Sequence, residues 1–175
     1  MRKLTTVLFA CLLALAGCSS SAGDSADFND ADVMFAQMMI PHHEQAIEMA
    51  TMAEAASTNK EVLALAADIK AAQQPEIDKL TGWLKDWDKP TSSDMGGHDM
   101  GGMMSEEQMA ELKAATGAQF DQLWLQMMIE HHQGAIDMAK AEISDGKNVD
   151  AIEMAKTIEK TQQQEIDTMN ELLSK

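Results

Sequence analysis

Cysteine is scarce in this chain of 175 residues: Cys11 and Cys18 are the only two, and both lie near its start. Neither can staple the long remainder of the chain. The fold must therefore form without a disulfide, and any metal site in it must do without thiolate. Cations are few as well. The 13 Lys and Arg are outnumbered by 29 Asp and Glu, giving a formal net charge of −16. A surface of that sign repels phosphate, which argues against nucleic acid as a partner. It has no electrostatic hold on anionic lipid either. What it does is enrich cations locally and keep a domain in solution. The single apolar run, at residues 4–16, is too short to span a bilayer comfortably. Also missing are a Ser-His-Asp or Cys-His arrangement, a phosphate-binding loop, and the Glu-x-x-His pairs that mark di-iron bundles. The chain reads as a non-enzyme, with a copper-dependent oxidoreductase as the remaining enzymatic alternative.

The start of the chain reads as an export signal. Met1-Arg2-Lys3 is a basic head, residues 4–16 are the apolar stretch, and Leu15-Ala16-Gly17-Cys18 is a lipoprotein-type cleavage box. The expectation is removal of residues 1–17 and attachment of lipid to Cys18. The protein would then be exported and anchored to a membrane of the bacterial cell envelope, on its periplasmic or extracytoplasmic face. Residues 18–28 are rich in Ser, Ala, Gly and Asp and form a flexible tether. Residues 29–175 remain as one domain.

Within it, apolar positions recur at helical spacing. Helices are predicted over about 30–56, 60–87, 118–143 and 149–173, with a short one over 105–115 headed by the capping sequence Ser105-Glu106-Glu107-Gln108. Thr58-Asn59-Lys60-Glu61 resembles a second capping box. Pro41 should kink the first helix, because it lacks an N–H. Asn148 suits an N-cap and Gly146 a C-terminal turn.

A repeat runs through the whole domain. Met38-Met39-Ile40-Pro41-His42-His43 returns 89 positions later as Met127-Met128-Ile129-Glu130-His131-His132. Asn59, Ile69, Gln73, Gln74, Glu76, Ile77 and Asp78 return as Asn148, Ile158, Gln162, Gln163, Glu165, Ile166 and Asp167 at the same offset. Two helical hairpins, 29–87 and 105–175, are thus duplicates joined by a Gly/Met-rich linker over 88–104. One hairpin cannot bury both its apolar faces, so the pair should pack as an all-α four-helix bundle.

The repeated motif carries the chemistry. Four of the five histidines lie in its two copies. On a helix Met38, His42, Gln45, Met49 and Met52 form one narrow seam, matched by Met127, His131, Gly134 and Met138. His43 and His132 sit about 100° round from it. Thioether is soft and neutral, imidazole is borderline, and the combination favours Cu(I), with Ag(I) as a mimic, over zinc or hard oxygen-seeking ions. The candidate metal ligands are Met38, His42, His43, Met49, Met127, His131, His132 and Met138. A second set lies in the linker: Met95, His98, Met100, Met103 and Met104, spaced by four glycines that let the backbone wrap an ion. Methionine at helical spacing is more often core filler, and Met34, Met52, Met109, Met154 and Met169 are assigned to the core. Gln73-Gln74 and Gln162-Gln163 could hydrogen-bond the His rings from the facing helix. Glu76, Glu165, Asp78 and Asp167 read as a solvated face. Trp83, Trp87 and Trp124 read as core or interface anchors.

The sequence Met-Ile-Pro-His-His-x-x-Ala-Ile-x-Met-Ala at 39–50, with its second copy at 128–139, resembles the domain-of-unknown-function 305 family. The resemblance covers almost all of the domain. It implies a small exported protein with a ferritin-like four-helix bundle, copper as its metal, and ligands at Met38, His42, His43, Met49, Met127, His131, His132 and Met138. The second copy departs from the motif at Glu130, where the first has proline. The expectation is an envelope lipoprotein that binds Cu(I) for sequestration, tolerance or transfer, with an envelope copper-handling protein as a partner. The alternative is an envelope interaction lipoprotein that binds no metal and whose Met residues form the core.

Overall fold

A computed structural model describes residues 27–92 and 101–175. The lipidation candidate Cys18 and the linker candidates Met95, His98 and Met100 fall outside the described residues. Four long helices and one short one make up the fold: α1 (Asp30–Ala56), α2 (Lys60–Asp86), α3 (Glu106–Ala114), α4 (Gly117–Asp145) and α5 (Val149–Leu173). α1 packs on α2, α4 packs on α5, and the two hairpins join chiefly through α1 and α4. The repeat is therefore a duplication of structure as well as of sequence.

Local chemistry sets the helix ends. Asn29 accepts hydrogen bonds from the N–H groups of Ala31 and Asp32, while the Asp32 carboxylate accepts one from the Asn29 N–H. Such a cap is worth about 1 kcal/mol. Ser105 and Gln108 form the predicted capping box of α3. At the start of α2 the cap is Asn59, one residue later than the sequence pattern suggests, because the Asn59 side chain reaches the Glu61 N–H. α1 continues through Pro41, and α4 runs on to Asp145.

Two apolar clusters fill the interior. One joins Ala46, Met49 and Ala53 of α1 to Val62, Leu65 and Ile69 of α2 and to Phe120, Trp124, Met127 and Met128 of α4. The other joins Val33, Phe35, Met39 and Ile40 of α1 to Ile77, Leu80 and Leu84 of α2, Ala135 and Ala139 of α4, and Met154 and Ile158 of α5. Burial of these side chains is the main source of stability, since each large one contributes roughly 1.5–3 kcal/mol. Along α1 the clusters meet between Ile40 and Ala46, which is where His42 and His43 stand. Trp124 is fully buried, and its indole N–H donates to the Met49 carbonyl across the α1–α4 contact at 2.9 Å. Trp83 and Trp87 stack with each other, and Trp87 stacks in turn on Phe28 nearer the surface. Met154 and Met169 are buried, and Met52 and Met109 are partly so. Met34 corrects the core assignment: it is 43% exposed. Its helical spacing places it on the outer edge of the α1 stripe rather than within it.

The end of the linker is clamped across the bundle. The Gln45 amide donates to the Met104 carbonyl at 2.8 Å, and the Met104 N–H donates back to Gln45 at 2.7 Å. On the other side the linker backbone lies directly on α4. A Cβ at Gly134 would collide with the Gly101 carbonyl, and one at Gly102 would come within 2.7 Å of the Glu130 carbonyl oxygen. Gly102 also has φ 83, a left-handed conformation that glycine takes without strain. Gln45 and Gly134 occupy equivalent positions in the two repeats, and each has become a seat for the same strap.

At one end of the bundle a buried carboxyl pair ties α1 to the α4–α5 turn. Asp32 accepts from the backbone N–H groups of Lys147 (3.0 Å) and Asn148 (2.8 Å). Burial works to raise its pKa, but hydrogen bonds from the Glu142 carboxyl and from the backbone outweigh it and hold the group below its ordinary value. Glu142 is pushed up to about 9 by burial first and by the neighbouring Asp32 next. It is therefore protonated at neutral pH and can donate to Asp32.

Two outcomes are expected from these contacts. Gly134→Ala must displace the strap and should lower stability by about 1–3 kcal/mol in urea or thermal unfolding. The folded chain keeps a proton on Glu142 that the unfolded chain releases near 4.5, so between about 4.5 and about 9 this group makes stability fall as pH rises. Glu142→Gln keeps a donor for Asp32 and should remove that component. Comparing urea midpoints of the two proteins at about pH 5 and about pH 8 checks it.

Candidate metal centre

Four imidazoles form a layer where the two apolar clusters meet. His42 and His43 come from α1, His131 and His132 from α4, and all four are fully buried. The rings of His42 and His131 lie against each other across the α1–α4 contact, with centroids 3.7 Å apart and planes inclined by 39°. This is the junction of the two repeats, so equivalent residues meet there.

His43 and His132 are held from behind. The Nε2 of His43 lies 2.7 Å from the Glu76 carboxylate on α2, and the Nε2 of His132 lies 2.7 Å from Glu165 on α5. A carboxylate accepts, so in each ring Nε2 carries the proton, and Nδ1 is the nitrogen turned away from the carboxylate. Glu76 and Glu165 therefore do not belong to a solvated face, as their sequence context suggested. They are the carboxylates behind the two histidines, and the two contacts match in atom and distance. The expected glutamine contacts do not form: Gln73 and Gln162 are buried, but neither bonds a histidine. Gln74 and Gln163 bond Asp78 and Asp167 instead, one turn along the exposed face.

Six buried ring nitrogens have no hydrogen-bond partner: both in His42, both in His131, and Nδ1 of His43 and His132. Leaving such a group unsatisfied costs about 1–3 kcal/mol. Burial drives the His42 pKa down to about 3, helped by the charge of neighbouring His43 and His132. His131 is lowered well below its ordinary value, again by burial first and then by the other three histidines. The two rings at the junction are thus neutral, the protonation state in which imidazole binds a metal.

The methionines divide between two surroundings. Met49 and Met127 lie inside one apolar cluster. Met38 and Met138 are half-buried and line a pocket of about 410 Å³ between α1 and α4, together with Met34, Gly101 and Gly134. Met39 and Met128 are fully buried, one helical turn before His43 and His132. Sequence spacing contained that relation, but nothing in it favoured them over Met38 and Met127. In the linker Met104 is buried and Met103 is half-buried. Among the described residues no group of three or more His, Cys, Asp or Glu side chains is arranged as a ready ligand set. The donors that suit a metal here are the free imidazole nitrogens with thioether sulfur, a set that matches a soft ion.

The family model described as domain of unknown function (DUF305) matches residues 32–173. A DUF305 protein from Streptomyces coelicolor described as secreted is 34% identical, with a TM-score of 0.79 over 82% of this chain and 92% of its own. A DUF305 fragment from Deinococcus radiodurans is 31% identical, with a TM-score of 0.75 over 83% and 97% of the two chains. CopM in its Cu(I)-bound form is 28% identical, with a TM-score of 0.70 over 82% and 95%. Curated protein sequences contain no match.

The Glu–His pairs give a direct test. Glu76→Gln with Glu165→Gln keeps the shape but lets the amide present either a donor or an acceptor to Nε2. Affinity for Ag(I), measured by competition, should fall about 10–100-fold, the usual effect of losing the carboxylate behind a ligating histidine. Helix content by circular dichroism should stay the same.

Proposed function

Because this chain belongs to the DUF305 family and shares its fold with CopM, a protein seen with Cu(I), Cu(II) and silver bound, we propose that it binds Cu(I) in the cell envelope. The observation that carries this reading is the layer of four buried imidazoles with six unpartnered nitrogens. In neutral rings those six nitrogens carry four lone pairs and two N–H groups; an apolar interior has no other use for the lone pairs, and a soft cation would satisfy them. The metal is cargo, and the role is sequestration or transfer.

His42 and His131 would hold the ion from the junction of the repeats, with His43 and His132 presenting Nδ1 to the same layer. Glu76 and Glu165 fix the tautomer and the orientation of the second pair. The thioethers and the already neutral His42 and His131 need lose no proton to bind, as a thiol would. Met38 and Met138 approach from the outer pocket. Met49 and Met127 belong to the same proposed set, but from the apolar side. The linker residues Met95, His98, Met100, Met103 and Met104 would form a second capture site, a reading that rests on their sequence. Export and attachment through lipid on Cys18 complete the proposal, resting on the sequence of residues 1–18. The acidic surface draws cations toward the domain.

Competition with a chromophoric Cu(I) chelator under anaerobic conditions tests this function. The protein should take copper with a Kd well below about 1 μM, and His42→Ala with His131→Ala should weaken it by at least about a hundredfold. Copper should also raise the melting temperature, since a ligand at about a hundred times its Kd adds about 2.7 kcal/mol to the native state. Unchanged melting together with micromolar or weaker affinity would instead favour a helical interaction protein that binds no metal.

A further inference from the structure

The duplication makes two equivalent approaches to the histidine layer, and the structure leaves them unequal. On one side Met38 of α1 and Met138 of α4 face an open pocket of about 410 Å³. The 89-residue offset carries these two positions to Met127 of α4 and Met49 of α1. That second pair is covered. Met104 of the strap, Leu112 of α3 and Ala115 just after it belong to the same buried cluster as Met49 and Met127, and Leu123 packs against it. Leu123 is the counterpart of Met34. The closed side therefore carries Leu where the open side carries a third thioether.

We propose that Met34, Met38 and Met138 form an outer thioether site that takes a soft monovalent cation from solvent and is its way in to the buried histidines. Met34 and Met38 are one helical turn apart on α1 and stack along one face, and Met138 lines the pocket from α4. Met34 is 43% exposed, one of two large apolar side chains so exposed among the described residues, and it stands at the mouth. Asp137 and Asp145, both exposed, supply negative charge at the rim, which raises the local concentration of cations. Thioethers then discriminate, because hard ions gain little from sulfur. The inner limit of the pocket is Gly101 and Gly134, where the strap crosses α4, and Met38 and Gly134 in its lining stand one helical turn from His42 and His131. The pocket therefore ends beside the imidazole layer.

This inference rests on the Cu(I)-binding reading, and one experiment separates the two. Cu(I) is delivered anaerobically from a chromophoric chelator by stopped flow. The final amplitude reports the histidine layer, and the rate reports the way in. The single change Met34→Leu, at an exposed position, should slow uptake several-fold, and Met34→Leu with Met38→Leu and Met138→Leu should slow it about tenfold or more. The amplitude should fall by no more than one equivalent of copper. Leu123→Met, on the covered side, should leave the rate as it is. Ag(I) titrated into protein labelled with ¹³C at the methionine methyls should shift the Met34, Met38 and Met138 signals together. Uptake by the Leu variants at the original rate, or those three methyl signals staying in place, overturns the inlet and leaves the buried site standing. No copper taken by the unaltered protein overturns the buried site, and with it the inlet.

Discussion

Four imidazoles cross the interior of this bundle, and the rest of the structure is arranged around the cost of keeping them there. An apolar core of the same size would be simpler to build from Leu and Ile. Instead the apolar residues of α1 divide into one group before His42 and another after His43, and those of α4 are interrupted by His131 and His132. Each hairpin contributes one carboxylate from its second helix, Glu76 or Glu165, to anchor one ring of its own pair. The other ring of each pair is left to face its duplicate across α1 and α4. Side-chain specificity and helix pairing are thus the same fact here: the histidines sit where the hairpins join.

Duplication alone would give a symmetric object. The connection between the hairpins breaks that symmetry, because one chain segment cannot lie on both sides of a twofold junction. Gln45 and Gly134 show how the two copies adapted. One acquired an amide that bonds the strap through both its donor and its acceptor, and the other gave up its side chain so that the strap's backbone could pass. α3 then covers one face of the α1–α4 contact and leaves the other open. Far from the histidines, Asp32 and Glu142 do for the ends of α1 and α4 what the strap does for their middles, fixing one helix against the other through buried polar contacts.

Much of this was legible in the sequence. The 89-residue offset gave the hairpins, the Met/His motif singled out the four histidines though not their meeting in one layer, and period and capping residues placed α1 and α5 to the residue. What stayed hidden depended on tertiary neighbours. Glu76 and Glu165 look like any acidic pair on an amphipathic helix; only the rotation of α2 against α1 shows that they reach the histidines while the adjacent glutamines do not. Their exact repetition at the offset was the available signal. Met34 read as core because spacing cannot tell the centre of an apolar stripe from its edge. Gly134 read as a member of the metal seam, whereas its role is steric and set by a linker backbone more than thirty positions away in sequence. The carboxyl pair Asp32–Glu142 had no local signature, since its partners are 110 positions apart in sequence (142 − 32).

The covering of one side by α3 has a consequence for traffic. A bundle open at both equivalent faces would be a passage, with arrival and departure on independent routes. Among the described residues Met49 and Met127 lie beneath Met104 and Leu112, so of the two equivalent faces the one at Met38 and Met138 is open, and under the proposed reading an ion would leave by the way it came. On the proposed copper-binding reading, such a vessel would exchange its contents with whatever stands at that open face, which amounts to retention and hand-over by contact rather than free throughput.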